Sequence, residues 1–260
     1  MDESRVHIQI DAVTMAYGST LIQRDLNFAI NHGDVFVIMG GSGCGKSTML
    51  KHMIGLFSPA EGEILYDGMS FQRASEAEQL TMRRSWGITY QSGGLFSAMT
   101  LAENTALPLQ QYTSLGEADI ADIVAYKLAL VGLGGYQHYY PSEISGGMQK
   151  RAGLARAIAL DPEILFFDEP SAGLDPISSQ LLDNLILEMK ESLGATVVIV
   201  THELASIFAI SNNSVFLDAE TKTMIDYGNP SELIKQSRHE KVRRFLARGG
   251  HEKVQVEAGA

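Results

Sequence analysis

The sequence predicts an α/β fold: a mainly parallel sheet with a β portion at its N-terminus and an α-helical insert. Three observations lead there. First, "DVFVIMG", "EILFFDEP", "ATVVIVTH" and, more weakly, "NSVFLDAE" are continuous apolar runs of the kind buried on both faces of a parallel sheet. Second, helical patterns separate them, notably "STMLKHMIGL", "QLLDNLILEMKESL" and "LASIFAI", and strands alternating with helices build parallel sheets. Third, from about Gln91 to about Leu160 the patterning is helical without a convincing strand. There "EADIADIVAYKLALVGL" places Ile120, Ile123, Val124, Tyr126 and Leu128 near one face and ends at Gly132. At the N-terminus Val6, Ile8 and Ile10 alternate with polar residues as in a half-buried strand, followed by two short apolar stretches, "AVTMAY" and "LNFAI".

Composition bounds the function. Of 260 residues, 45% are hydrophobic and 20% charged, an ordinary globular balance with ample material for a core. No apolar run approaches the ~18 residues of a membrane span, and "MDESRVHIQI" resembles neither a signal nor a transit peptide. The expectation is a soluble chain that reaches a membrane through a partner. A net charge of −11 argues against general nucleic-acid binding, which needs a basic footprint. It leaves a nucleotide ligand open, because backbone N–H groups and Mg²⁺ neutralise phosphates locally. Cys44 is the only cysteine, so no intrachain disulfide forms. The polar, Gly-rich end "RGGHEKVQVEAGA" reads as loose.

"GGSGCGKST" matches G-x-x-x-x-G-K-[ST] directly between an expected strand and an expected helix, the context that makes the pattern a phosphate-binding P-loop. The bare pattern would arise by chance in about one such chain in a hundred. Gly40, Gly41, Ser42, Gly43, Cys44 and Gly45 would turn backbone N–H groups toward the phosphates. Lys46 would reach the β- and γ-phosphates, Ser47 would ligate Mg²⁺, and Thr48 closes the motif. Cys44 admits two readings: a redox-sensitive thiol at a helix N-terminus, or a small tolerated loop residue.

Asp168 and Glu169 end an apolar strand, where parallel sheets place ligands. Strand alternation assigns them different tasks: Asp168 a water-linked partner of Mg²⁺, Glu169 the base that polarises the attacking water. His202 ends "ATVVIVTH" in the same way and would sense the γ-phosphate; by itself a lone His is more often structural. Gln91, after "GITY", would contact Mg²⁺ or water and report nucleotide state to the insert, the alternative being a polar linker. In "SEISGGMQKR", Ser145, Gly146 and Gly147 open a helix, a second place for an anion in a chain that already has one.

Together "GGSGCGKST", Gln91, "ISGGMQKR", "ILFFDEP", "SAGLDP" and His202 resemble, in order and over almost the whole chain, the ATP-binding cassette (ABC) ATPases. The resemblance implies a P-loop NTPase (RecA-like) core, with an antiparallel N-terminal β portion, over residues 1–90 and 161–237. It implies a helical subdomain over 91–160 and a C-terminal tail over 238–260. It implies ATP and Mg²⁺ as ligands, with metal contacts from Ser47, Gln91 and Asp168 and adenine stacking on Tyr17; as a bare residue Tyr17 would more often be core. Ser145, Gly146 and Gly147 would then close over ATP held by a second copy of the chain, with Asp175 along that interface. Ile144 and Met148 depart from the usual Leu-Ser-Gly-Gly-Gln, the first a mild apolar swap.

More narrowly, "TYQSGGLFSAMTLAENTALPL", "SNNSVFLDAETKTMI" and "VRRFLARGG" look like the ATPases of Mce-type (Mla-like, toluene-tolerance type) phospholipid transporters of Gram-negative bacteria, and Met148 agrees. That likeness implies an integral membrane permease, contacted around "FSAMTLAENTALPL", and a periplasmic Mce-domain lipid-binding protein. It places the chain on the cytoplasmic face of the inner membrane. The competing expectations are an ABC ATPase serving a small polar solute, a soluble ABC machine of the DNA-repair or translation kind, and a non-catalytic nucleotide-binding module.

Overall fold

The computed structural model describes residues 6–91 and 93–248. Its contacts divide the chain into two units. One holds the described residues up to Ala74 and those from Val198 onward; the other runs from Ser75 to Val197.

In the first unit, β1 (Val6–Tyr17) and β2 (Thr20–Asn31) form an antiparallel hairpin. They are joined by β4 (Glu61–Tyr66) and β5 (Met69–Ser70) in the order β2-β1-β4-β5. The two stretches expected separately, around Val6–Ile10 and "AVTMAY", are one strand with a bulge. Ile8 and Ile10 are fully buried, Ala12 takes φ +48°, and burial resumes at Val13 and Met15 on the opposite parity. Burying Val13 and Met15 gains about 3–6 kcal/mol, more than the ~1–3 kcal/mol of a positive φ at alanine. The Asn27 side chain accepts from the Ala12 N–H at 2.9 Å and fixes the bulge.

The second sheet of this unit carries β3 (Val35–Gly40), buried at all six positions, parallel to β9 (Asn213–Asp218). β10 (Thr223–Gly228) runs antiparallel to β9, giving the order β10-β9-β3-β8, with β8 at Thr196–Val200. Helices α1 (Lys46–Met53), α7 (Leu204–Ile210), α8 (Pro230–Gln236) and α9 (Glu240–Ala247) complete it. Thus residues 240–247, within the expected tail, are helical. The loose stretch expected from Arg248 on lies, beyond that residue, outside the described residues.

The chain passes between the units within β8. In the second unit β6 (Trp86–Thr89) runs parallel to β7 (Ile164–Asp168). Around these strands lie α2 (Glu76–Arg84), α3 (Leu101–Tyr112), α4 (Glu117–Leu130), α5 (Gly146–Ala157) and α6 (Pro176–Leu193). Ser75 with Glu78, and Thr100 with Glu103, form capping boxes that start α2 and α3. Gly194, at φ +65°, ends α6.

The expected face of α4 needs one correction. Ile120, Val124 and Leu128 are buried as expected, but Ile123 is only partly buried and Tyr126 is 60% exposed. At 3.6 residues per turn, Tyr126 lies about 240° around the helix from Ile120, whereas Lys127 returns to about 340°. Lys127 accordingly takes the buried place, its ammonium paired with Asp161. Among the described residues no helix is long and apolar enough to cross a membrane.

Candidate nucleotide site

The glycine loop leaves β3 and enters α1. Gly40 (φ +148°) and Gly45 (φ +99°) are required sterically as well as torsionally: a Cβ at Gly40 would lie 2.3 Å from the Leu217 carbonyl oxygen, and one at Gly45 would lie 2.8 Å from Ile22 Cγ2. Gly43 is required by torsion alone, at φ +73° with open space around it. Gly41, Ser42 and Gly43 are exposed; Lys46, Ser47 and Thr48 are partly buried in the first turn of α1. Gly45 caps α1 and offers no side chain of its own to the first N–H groups. Lys46 Nζ donates to the Gly40 and Gly41 carbonyls at 3.1 and 3.2 Å, folding its charge over the loop. A helix start lacking its own cap, glycines that bring backbone close, and an ammonium at the rim suit a polyphosphate.

Cys44 is 1% exposed, and burial pushes its thiol up despite the nearby Lys46 charge. Of its two readings, the structure supports the inert one. Tyr17, at the end of β1, is 45% exposed and meets the Phe57 ring edge-on at 5.5 Å. It is not core. His202 lies two residues beyond β8, exposed, with Nε2 3.8 Å from Glu203 Oε1.

In the second unit, Gln91 is exposed in a turn after β6, closed by the Gly93 N–H donating to the Tyr90 carbonyl at 2.8 Å. This turn rests on α5 with no room to spare. A Cβ at Gly153 would lie 2.6 Å from the Gly93 oxygen, and one at Gly93 would lie 2.9 Å from the Gln149 oxygen. Ser145 is the N-cap of α5, its hydroxyl accepting from the Met148 N–H at 3.3 Å; Gly146 and Gly147 form the first turn. Ser145 and Gly146 are exposed, and a Cβ on Gly146 would meet nothing within 4 Å.

Asp168 closes β7, partly buried. Glu169 does not follow the strand alternation expected of it. Its φ of +49° takes it out of the strand, so the left-handed backbone at Glu169 itself, rather than the pleat, sets the directions of the two carboxylates. Lys150, from α5, donates to the Pro170 carbonyl at 2.7 Å and also to that of Ala172. Burial lowers the Lys150 pKa, partly offset by the Glu169 charge. One helix therefore holds both the Gln91 turn and the segment after Glu169. Asp175 caps α6, accepting from the Ile177 and Ser178 N–H groups at 3.1 and 3.0 Å.

The sequence reading missed Gln23, Gly93, Gly153 and Lys150. Gln23 sits at a fully buried position of β2 that the bulge at Asp25 (φ +48°) takes out of phase with Leu26, Phe28 and Ile30. The other three act through packing and main-chain contacts and leave no motif; Lys150 alone had a signal, as a cation beside the Ser-Gly-Gly start.

A buried parallel strand, a glycine loop and a helix that starts on glycine define a P-loop nucleotide-binding protein. A family model described as "ABC transporter" matches residues 23–172, and the chain belongs to the ABC transporter family. It is 43% identical over 241 residues to the "Probable ribonucleotide transport ATP-binding protein mkl" of Mycobacterium bovis, covering 93% of this chain and 66% of that protein. The chain thus spans about two thirds of that mycobacterial relative. It is 39% identical over 239 residues to the "Intermembrane phospholipid transport system ATP-binding protein MlaF" of Haemophilus influenzae, covering 92% of this chain and 89% of that one. Among solved structures it resembles cbiO1 from Clostridium perfringens, part of the transporter complex cbiONQ (TM-score 0.81, 28% identity, 95% of this chain and 98% of that). It also resembles the ATP-binding cassette MJ0796, a dimer bound to ADP and Pi (TM-score 0.77, 28% identity, 85% and 98%).

Proposed function

We propose that the chain is the ATP-hydrolysing subunit of an ABC transporter, two copies closing around two ATP to drive an integral membrane permease. The observation that carries this reading is the start of α1 on Gly45, behind glycines at 40 and 45 where a Cβ would strain the backbone and crowd Leu217 and Ile22. The loop Gly40–Thr48 cradles the phosphates, with Lys46 swinging from its carbonyls to the β- and γ-phosphates. Tyr17 offers an exposed ring to adenine. Ser47, Gln91 and, through water, Asp168 are the contacts for Mg²⁺, which when bound neutralises phosphate charge. Glu169 polarises the attacking water and His202 senses the γ-phosphate. Ser145, Gly146 and Gly147 act on the partner copy's ATP; the empty space at Gly146 supports a group arriving from outside the chain.

In this reading residues 1–90 and 161–237 serve as the ATP-binding core, 91–160 as the subdomain that meets the permease, and 238–260 as the tail. A cavity of about 370 Å³ lined by Phe96, Pro108, Tyr112 and Arg156, with Trp86 and Tyr90 of the adjoining core segment, supports a docking surface at the edge of that subdomain. Exposed Ile177 and Leu181, beside Asp175, support a self-interface. The names of the MlaF relatives support phospholipid cargo; with that cargo the chain would work from the cytoplasmic face of the inner membrane beside a periplasmic Mce-domain protein. The mycobacterial relative's name favours a second reading of the cargo, a ribonucleotide. Stimulation of turnover in the permease-assembled complex by phospholipid rather than by ribonucleotide decides between them.

The test of the core reading is Glu169→Gln. Turnover should fall at least about a hundredfold while ATP binding persists and an ATP-dependent dimer accumulates by light scattering. Unchanged turnover removes Glu169 from the reaction.

A further inference from the structure

We infer that the C-terminal helix α9 braces the phosphate loop, with Lys241 and Gln23 as its positioning residues. The inference rests on the nucleotide reading of Gly40–Thr48 and adds what sets that loop's resting conformation.

The end of β9 lies between the two. Against the loop, the Leu217 carbonyl occupies the space that a Cβ on Gly40 would need, 2.3 Å away. The fully buried Gln23 side chain ties the loop to the strand: its Nε2 donates to the Cys44 carbonyl at 2.7 Å and to the Asp218 carbonyl at 3.0 Å. Against α9, the Phe245 ring meets Phe216 edge-on at 5.2 Å, and the Lys241 ammonium pairs with the Asp218 carboxylate and, at 3.0 Å, with Glu220. The helix therefore holds Phe216 and the Asp218 carboxylate, while the Asp218 carbonyl shares the Gln23 amide with Cys44 of the loop. Gly41 and the α9 residues Lys241, Arg244 and Phe245 line one cavity of about 390 Å³.

The Cys44–Gly45 peptide is where this matters. A trans peptide points its C=O and its N–H in opposite directions. Holding the Cys44 carbonyl on Gln23 therefore aims the Gly45 N–H away from Gln23, as an anion cradle requires. Asp218 is 3% exposed. Burial pushes its carboxyl up, but Lys241 with the Thr221 hydroxyl and N–H outweighs burial and holds it below its usual value. Removing Lys241 leaves a buried carboxylate short of its cation. The strand end then shifts, carrying Gln23 and the Cys44 carbonyl with it.

The experiment measures equilibrium ATP binding and kcat for the full chain and for Lys241→Met, Gln23→Met, the double variant, Lys241→Arg and, on α8, Lys235→Met. Lys241→Met should weaken ATP binding about fivefold, the scale of one ordinary hydrogen bond, with kcat at saturating ATP retained. Lys241→Arg should restore it, Lys235→Met should change nothing, and the double variant should bind no more weakly than Gln23→Met. Unchanged affinity in Lys241→Met, or losses that add in the double variant, overturns the brace. If Lys241→Met folds poorly, Asp218→Asn/Lys241→Met removes the buried charge with its cation and is compared with Asp218→Asn. Amide exchange of Gly43–Ser47 in the nucleotide-free chain separates this from the parent reading. Faster exchange in Lys241→Met supports the brace even if ATP fails to bind, and unchanged exchange overturns it.

Discussion

A Cβ at Gly40 would lie 2.3 Å from a main-chain oxygen, whereas one at Gly146 would meet nothing. The first glycine serves this chain's own folding. The second, at ordinary helical torsions, costs about 1 kcal/mol against alanine and gains nothing within the chain. Gly40→Ala should therefore lower unfolding free energy by about 2–4 kcal/mol, measured in urea. Gly146→Ala should stay within about 1 kcal/mol of wild type yet reduce ATP turnover at least tenfold. Full turnover in Gly146→Ala would remove the role proposed for that residue. The same scale decides Cys44. With its thiol raised by burial, iodoacetamide at pH 8 should label the native chain at least about a hundred times more slowly than the urea-unfolded chain. Comparable rates, read by mass spectrometry, would contradict a buried thiol.

Among the elements, α5 has the widest reach within its unit. Its N-terminus carries Ser145 and Gly146, Lys150 holds the segment after Glu169, and Gly153 admits the Gln91 turn. Gly153→Ala must push the Gly93 backbone aside, because the obstructing atoms are main chain. Binding of ATP should change less than about twofold while turnover drops about tenfold or more; equal loss of both would mean general unfolding instead. Helix α6 offers a pH test. The Ser178 hydroxyl, then its N–H, hold the Asp175 carboxyl below the usual carboxylate range. A lowered folded pKa gives stabilisation that is full above the unfolded value and is lost as pH falls through the folded one. Asp175→Asn caps at every pH, so its stability should fall less steeply than wild type between about pH 4 and 2.

At the scale of the whole molecule, the proposed site needs two copies of the chain. Lys46→Ala spoils a phosphate loop and Gly146→Asp spoils a Ser-Gly-Gly helix start, so a dimer of one of each has one site built from two intact halves. Mixed in equal amounts, the two inactive variants should recover about a quarter of the wild-type sites, read as ATP turnover. No recovery would place both residues in a site made by a single chain.

Much of this was legible in the sequence because the signals are local. Strands buried on both faces show as unbroken apolar runs, and a P-loop must be a glycine loop between strand and helix. The fold class and the positions of Gly40–Thr48, Asp168 and Ser145 follow from that. What the sequence did not show depends on distant partners. The bulges at Ala12 and Asp25 reset the inward parity of β1 and β2, and so hid Gln23. The left-handed φ at Glu169 replaced the alternation expected for the two acids. Lys127 went inward, against its polarity, with Asp161, 34 residues away, as its partner. Side-chain type and spacing determined which chemistry the chain carries. Only the tertiary structure decided which main-chain atoms hold that chemistry in place, because hydrogen bonds to carbonyls and close approaches of glycines depend on position, not on residue pattern.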